Sequence, residues 1–207
     1  MDKNDFVVNN LREIIQDPRS ELEYSSEFQL LIAVMLSAQC TDKRVNMVTK
    51  DLFKRWGTPE KLANAKLEDV EIVVKPCGFY HNKSKNIIAC SKELVEEYNG
   101  VVPNELDKLQ SLSGVGRKTA NVVLAVAFNK PAIAVDTHVY RVSKRLGLSN
   151  GKDVMQVEED LMRQFPEKDW AELHHLILLF GRYYCTARNP KCANCVLKEI
   201  CTHRGGK

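Results

Sequence analysis

The chain has 207 residues, a mass of 23.5 kDa and 44% hydrophobic residues, enough for one large domain or two small ones with an apolar core. Its longest apolar run, Leu30–Leu36, falls far short of the ~20 residues that span a bilayer. Met1-Asp2-Lys3-Asn4-Asp5 has no secretory pattern, so an intracellular, cytoplasmic protein is expected, nucleoid-associated if bacterial. The formal charge of +3 is uneven: residues 111–145 and 181–207 each carry +5, which leaves −7 on the rest. That distribution suits directional binding to a polyanion.

The elements read as helices in chain order. Val7, Leu11, Ile14 and Ile15 share one face at helical spacing. Ser26 and Gln29 have the spacing of a capping box before Leu30–Leu36. Val45, Val48, Leu52 and Trp56 form the next face, stopped by Gly57. Thr58-Pro59 starts a further helix. Ile87, Ser91, Leu94 and Tyr98 line another that ends at Gly100. A short helix from Pro103-Asn104 through Leu109 and an apolar one from Thr119 to Phe128 flank Gly114-Val115-Gly116. Beyond a break at Asn129-Lys130-Pro131, further faces are Val139/Val142/Leu146, Val154/Val157/Leu161/Phe165 and Leu173/Leu176/Ile177/Phe180. Only Ile133-Ala134-Val135 suggests a strand. The expected fold class is all-α.

Two segments carry the chemistry. In Leu112-Ser113-Gly114-Val115-Gly116-Arg117-Lys118-Thr119-Ala120, two glycines between helices give a helix–hairpin–helix pattern, whose amides and Arg117 can grip phosphates without reading bases. A dinucleotide-binding fingerprint fails because Thr119 stands where its third glycine belongs, and a Walker loop fails because Arg117 intrudes. Lys118, near a helix start, is a candidate nucleophile, and Asp136 in Val135-Asp136-Thr137-His138 can stabilise positive charge or move protons. Each piece alone has a plainer reading: a tight turn, a solvated or phosphate-bound lysine, and an N-capping carboxylate.

Cys185, Cys192, Cys195 and Cys201 are separated by six, two and five residues. Four thiolates in a basic segment are a credible metal site, with buried free thiols as the plainer reading, and their number alone does not distinguish zinc from an iron–sulfur cluster. Arg188 and Lys191 lie in the six-residue loop, where they would be displayed towards a backbone phosphate. Cys40, Cys77 and Cys90 lack companion spacing and read as packing residues. His174 and His175, being adjacent, point to different sides of a helix and read as core or surface rather than ligands.

In this order, Gly114–Ala120, Val135–His138 and the Cys-x6-Cys-x2-Cys-x5-Cys tail resemble the endonuclease III family of helix–hairpin–helix DNA glycosylases. The likeness runs from Leu36-Ser37-Ala38-Gln39 to Cys201. It implies two helical domains with the active site in the cleft between them. One is a six-helix barrel over residues 21–130 that contains the hairpin at about 104–128. The other is a discontinuous domain of residues 1–20 and 131–207. It also implies a [4Fe-4S] cluster on the four cysteines, with its loop at 185–201. The implied activity is a bifunctional DNA N-glycosylase/AP lyase of base excision repair. Its implied partner is duplex DNA containing oxidised or ring-saturated pyrimidines or abasic sites, engaged by a monomer without a membrane. Lys118 and Asp136 would be catalytic. Gln39 would fill the space of the extruded nucleotide, Phe79 would wedge into the stack, and Gly114, Val115, Gly116, Arg117, Thr119, His138, Arg188 and Lys191 would contact DNA. Phe79 stands where leucine is common in that family. Ser113 replaces a frequent proline, an exchange expected to loosen the hairpin. Competing readings are a monofunctional adenine-mismatch glycosylase, which Lys118 disfavours, a non-catalytic DNA-binding iron–sulfur protein, and an electron-transfer protein.

Overall fold

The computed structural model describes residues 2–203, and among them every regular element is helical. The last four residues of the basic segment, and of the domain expected to end at 207, lie outside the described residues. In chain order the helices are α1 (Lys3–Ile14), α2 (Glu27–Leu36), α3 (Asp42–Trp56), α4 (Pro59–Ala63), α5 (Leu67–Val74) and, after a 3-10 turn at Lys75–Cys77, α6 (Tyr80–Tyr98). There follow α7 (Leu106–Ser111), α8 (Arg117–Ala127), α9 (Thr137–Arg145), α10 (Val154–Gln164) and α11 (Trp170–Tyr183). None of the described helices is long and apolar enough to cross a membrane. Contacts divide the chain into two compact units, Glu21–Phe128 and Met1–Ser20 with Asn129–Lys207.

The unit Glu21–Phe128 is built around α2. Residues Leu30 to Leu36 are all buried, and a helix apolar on every side belongs at a centre rather than a surface. It packs on α3, α6 and α8. Ser26 caps α2 by accepting from Gln29 N–H at 3.2 Å. The capping box is only half formed, because the Gln29 side chain accepts from Ser25 N–H at 3.0 Å and Ser25 hydroxyl at 2.8 Å. Thr58 caps α4 with Pro59 in its first turn, where a missing N–H costs nothing. The last turn of α6 ends with Asn99 in the left-handed region, and Gly100 N–H bonds to Leu94 carbonyl at 2.8 Å.

The second unit gathers α1, α9, α10 and α11 around Val7, Leu11, Val139, Leu161, Leu176 and Phe180. Ile133-Ala134-Val135 pairs with no strand; it is extended chain buried within the unit, with Ile133 and Val135 in this core. Helices α9 and α11 approach closely at Gly181, where a Cβ would lie 2.9 Å from His138 Cβ and 3.0 Å from Val142 Cγ2. His174 and His175 are both buried on α11, as core residues. Burial pushes His175 below its ordinary pKa.

Helix α1 docks on α11 through buried Leu11 and through Arg12, whose guanidinium donates two bonds to Glu172, at 2.8 and 2.5 Å. The first of these forces is apolar burial and the second a part-exposed ion pair, whose hydrogen bonds hold the Glu172 carboxyl below its usual pKa. Leu11→Ala is expected to cost about 2–5 kcal/mol, and Glu172→Gln under about 1 kcal/mol, as read from denaturant unfolding. The reverse ranking would put ionic pairing in charge of docking α1.

Candidate functional site

The hairpin is closed by its apolar residues. Leu112 and Val115 are buried, and Val115 N–H donates to Leu112 carbonyl at 3.0 Å. Gly114 has φ +76°, and a Cβ there would stand 2.7 Å from Asn86 Cβ on α6, so both conformation and space require glycine. Helix α7 starts at Leu106, later than Pro103-Asn104 suggested, because Val102 and Pro103 are buried as extended chain and Glu105 takes the extended cap position. Helix α8 starts at Arg117, two residues earlier than expected, with Gly116 as its N-cap. Arg117 and Lys118 therefore open the helix itself.

The start of α8 has no side-chain cap, so its first amides and the positive end of the helix dipole suit an anion. Val115 serves this grip from inside, since its amide is engaged within the turn. Gly114 and Gly116 are exposed, and Arg117 and Thr119 half-buried. Ser113 does not loosen the hairpin. Its N–H donates to Glu93 Oε2 at 2.6 Å and its hydroxyl donates to Glu93 Oε1, which ties the turn to α6. Proline has no N–H for the first of these bonds.

Lys118 is exposed at the second position of α8 and forms no ion pair among the described residues. Asp136, in the other unit, is half-buried and is the N-cap of α9: Oδ1 accepts from His138 N–H and Val139 N–H, both at 2.8 Å. The capping reading is thus correct, and it leaves Oδ2 outside these bonds. His138, half-buried on α9, meets Arg141 through Nδ1 at 3.2 Å.

Gln39 and Phe79 share an uncommon feature. Both are exposed and both adopt the left-handed region, at φ +54° and +49°, a conformation that costs a non-glycine residue energy and concentrates at functional positions. Phe79 is 66% exposed, and an aromatic ring open to water is suited to stacking on a base. Nothing local in the sequence marks Gln39 for this backbone. The sequence reading also missed a proximity: Cys40, 37 positions away, acts on the buried Cys77 thiol. Burial first, then Cys40, pushes the Cys77 thiol up to about 12, and burial does the same to Cys90.

Cys185, Cys192, Cys195 and Cys201 line one cavity of about 260 Å³, with Phe180 and Leu146 behind them. No three His, Cys, Asp or Glu side chains among the described residues converge closely enough to hold a single ion; four thiols spread around one cavity fit a cluster. Burial is the largest influence raising the Cys195 and Cys201 thiols, and the neighbouring cysteines add to it. Iron would compensate four thiolates so crowded. Two arginines of α9 hold this loop. Arg145 donates to Cys185 Sγ at 3.3 Å and to Thr186 and Ala187 carbonyls at 2.8 and 3.2 Å. Its own carbonyl accepts from Thr202 N–H at 2.8 Å. Arg141 donates to Cys185 carbonyl at 3.1 Å and Gly181 carbonyl at 2.7 Å. Arg188 and Lys191 are exposed on the loop, and Lys191 Nζ lies 5.0 Å from the centre of the Tyr184 ring.

Comparison with known proteins agrees with this anatomy. Residues 32–167 match the model of the HhH-GPD superfamily base excision DNA repair protein, and residues 185–201 match the iron-sulfur binding domain of endonuclease III. The chain is 50% identical to endonuclease III of Bacillus subtilis (strain 168) over 198 residues, covering 95% of this chain and 90% of that one. It is 44% identical to endonuclease III of Escherichia coli (strain K12), covering 96% and 94%. Among solved structures it is similar to a trapped endonuclease III–DNA covalent intermediate, with a TM-score of 0.93, 46% identity and coverage of 98% and 96%. A thermostable thymine-DNA glycosylase shares the fold, with a TM-score of 0.83 at 20% identity and coverage of 97% and 95%. The chain belongs to the endonuclease III family of the HhH-GPD superfamily, DNA glycosylases and AP lyases of base excision repair that hold a [4Fe-4S] cluster.

Proposed function

We propose that this glycosylase/AP lyase removes oxidised or ring-saturated pyrimidines from duplex DNA through a Schiff base on Lys118 and then nicks the strand 3′ to the abasic site. The enzyme acts as a monomer inside the cell. Residues 21–130 serve as the DNA-gripping domain, and residues 1–20 with 131–207 as the cluster domain. The observation that carries this reading is an exposed lysine at the uncapped start of α8, directly after a hairpin built for a phosphate. The similarity to an endonuclease III trapped covalently on DNA supports a covalent route.

A base cannot be attacked inside the stack, so the damaged nucleotide must leave it. Phe79 and Gln39 open and fill the gap, while Gly114, Gly116, Arg117, Thr119, His138, Arg188 and Lys191 hold the backbone and Val115 shapes the turn. The neutral Lys118 amine attacks C1′, the C1′–N bond breaks, and the base departs with the bonding pair. Oδ2 of Asp136 stabilises the oxocarbenium-like charge at the sugar and takes part in proton transfer through water. Loss of the proton on nitrogen and opening of the C1′–O4′ bond, whose pair goes to O4′, give the iminium; loss of a C2′ proton then expels the 3′ phosphate with the C3′–O pair, and water adding at C1′ frees Lys118. The cluster's contribution when bound is to staple residues 185–201 and so display Arg188 and Lys191.

Lys118→Ala, at an exposed helix position, should leave stability within about 0.5 kcal/mol and abolish borohydride-trappable complexes with abasic DNA. Trapping at the wild-type level would remove Lys118 from its role. Asp136→Asn keeps an oxygen able to accept the two capping bonds, so α9 should stay intact. Base release from a damaged duplex should fall by about 10²-fold or more, with a smaller loss in cleavage of preformed abasic sites. Equal losses on the two substrates would contradict that division. Anaerobically purified protein should contain about four iron and four sulfide per chain; stoichiometric zinc would contradict the cluster.

A further inference from the structure

Lys83 is a buried lysine to which the proposed mechanism gives no task. It lies in the first turn of α6 and is 8% exposed. Its ammonium donates to Leu36 carbonyl and to Cys77 carbonyl, each at 2.9 Å. Leu36 is the last residue of α2 and Cys77 the last of the 3-10 turn at Lys75–Cys77. Both carbonyls belong to helix ends that lack intrahelical donors, and a cation is the favourable partner there. One buried charge therefore caps two helical termini from different parts of the chain.

Each capped end leads directly into a strained, exposed residue. Gln39 comes three residues past Leu36, and Phe79 two past Cys77, both with positive φ. Phe79 is itself the N-cap of α6, its carbonyl accepting the first helical bond from the backbone N–H of Lys83 at 3.1 Å. We infer that Lys83 is a positioning residue of the glycosylase: its ammonium locks the stems of the Gln39 and Phe79 loops together and so sets the spacing of the two side chains that enter the DNA. This role rests on the insertion roles proposed for Gln39 and Phe79. The lock matters for a paired lesion in duplex, where both side chains must enter one gap together. It is irrelevant to a single strand, which has no stack to open.

The test compares base release from a duplex containing a paired oxidised pyrimidine with borohydride trapping on a single-stranded abasic oligonucleotide. Lys83→Met keeps the aliphatic stem and removes the donors. Base release from the duplex is expected to fall by about 10²-fold, the scale of an ångström-sized misplacement, while single-strand trapping stays within about threefold of wild type and iron content is unchanged. Lys83→Arg, which retains charge and donors, should recover most of the duplex activity. Equal losses on both substrates would make Lys83 merely structural, and no loss on either would make the lock irrelevant; either result overturns the proposal. If Lys83→Met does not fold, Lys83→Gln takes its place in the same comparison. Gln39→Ala and Phe79→Ala separate the two ways of failing. Full duplex activity in both would overturn the insertion roles themselves, whereas losses there with none at Lys83→Met would overturn the lock alone.

Discussion

Residues 185–203 contain no helix or strand and bury a single apolar side chain, Leu197, among the core residues. Such a segment cannot offset its ordering entropy by hydrophobic burial. Two arginines of α9 hold its backbone, and ligation by its four cysteines would add to that hold. Arg145 is central because its side chain bonds the start of the segment and its carbonyl bonds Thr202 near the end. The loop that carries Arg188 and Lys191 is therefore anchored by α9, the helix that Asp136 caps.

A second constraint recurs at Gln39, Phe79 and Gly114: the backbone takes positive φ, and neighbouring structure holds it there. At Gly114 the holding group is Val115, buried with its amide engaged in the turn, while the Ser113–Glu93 bonds tether the hairpin to α6. At Gln39 and Phe79 no glycine lowers the cost, so the stems are fastened instead by the buried Lys83 ammonium. Strain of this kind persists only where the surroundings over-determine it. Regular helices do the fastening, and the irregular turns between them present the side chains.

Helix ends supply the electrostatics. Lys118 stands at an N-terminus that no side chain caps, whereas Asp136 caps one. At the first end no side chain caps the amides, an arrangement that suits an anion; at the second, two amides fix the orientation of a carboxylate while engaging only one of its oxygens. The same elementary property, the N–H groups that a helix start leaves without intrahelical partners, thus suits an anion in one place and aims a carboxylate in the other.

Sequence by itself determined the all-helical class, the faces of the long helices, the hairpin and the cysteine spacing, because these depend on local periodicity, turn chemistry and ligand count. It placed the start of α8 two residues late, since Gly116 as N-cap is visible only once the turn has closed. It overstated the effect of Ser113, because the compensating carboxylate, Glu93, is 20 positions away. Whether Ile133–Val135 formed a strand was likewise undecidable locally; among the described residues it belongs to no strand and is buried in a helical unit. Only tertiary structure brought Cys40 to Cys77, set Arg145 against the cluster loop and placed Lys83 between two helix ends. Those contacts join residues distant in sequence, and their energy comes from desolvation and from satisfying buried carbonyls, neither of which has a period or spacing that can be read along a chain.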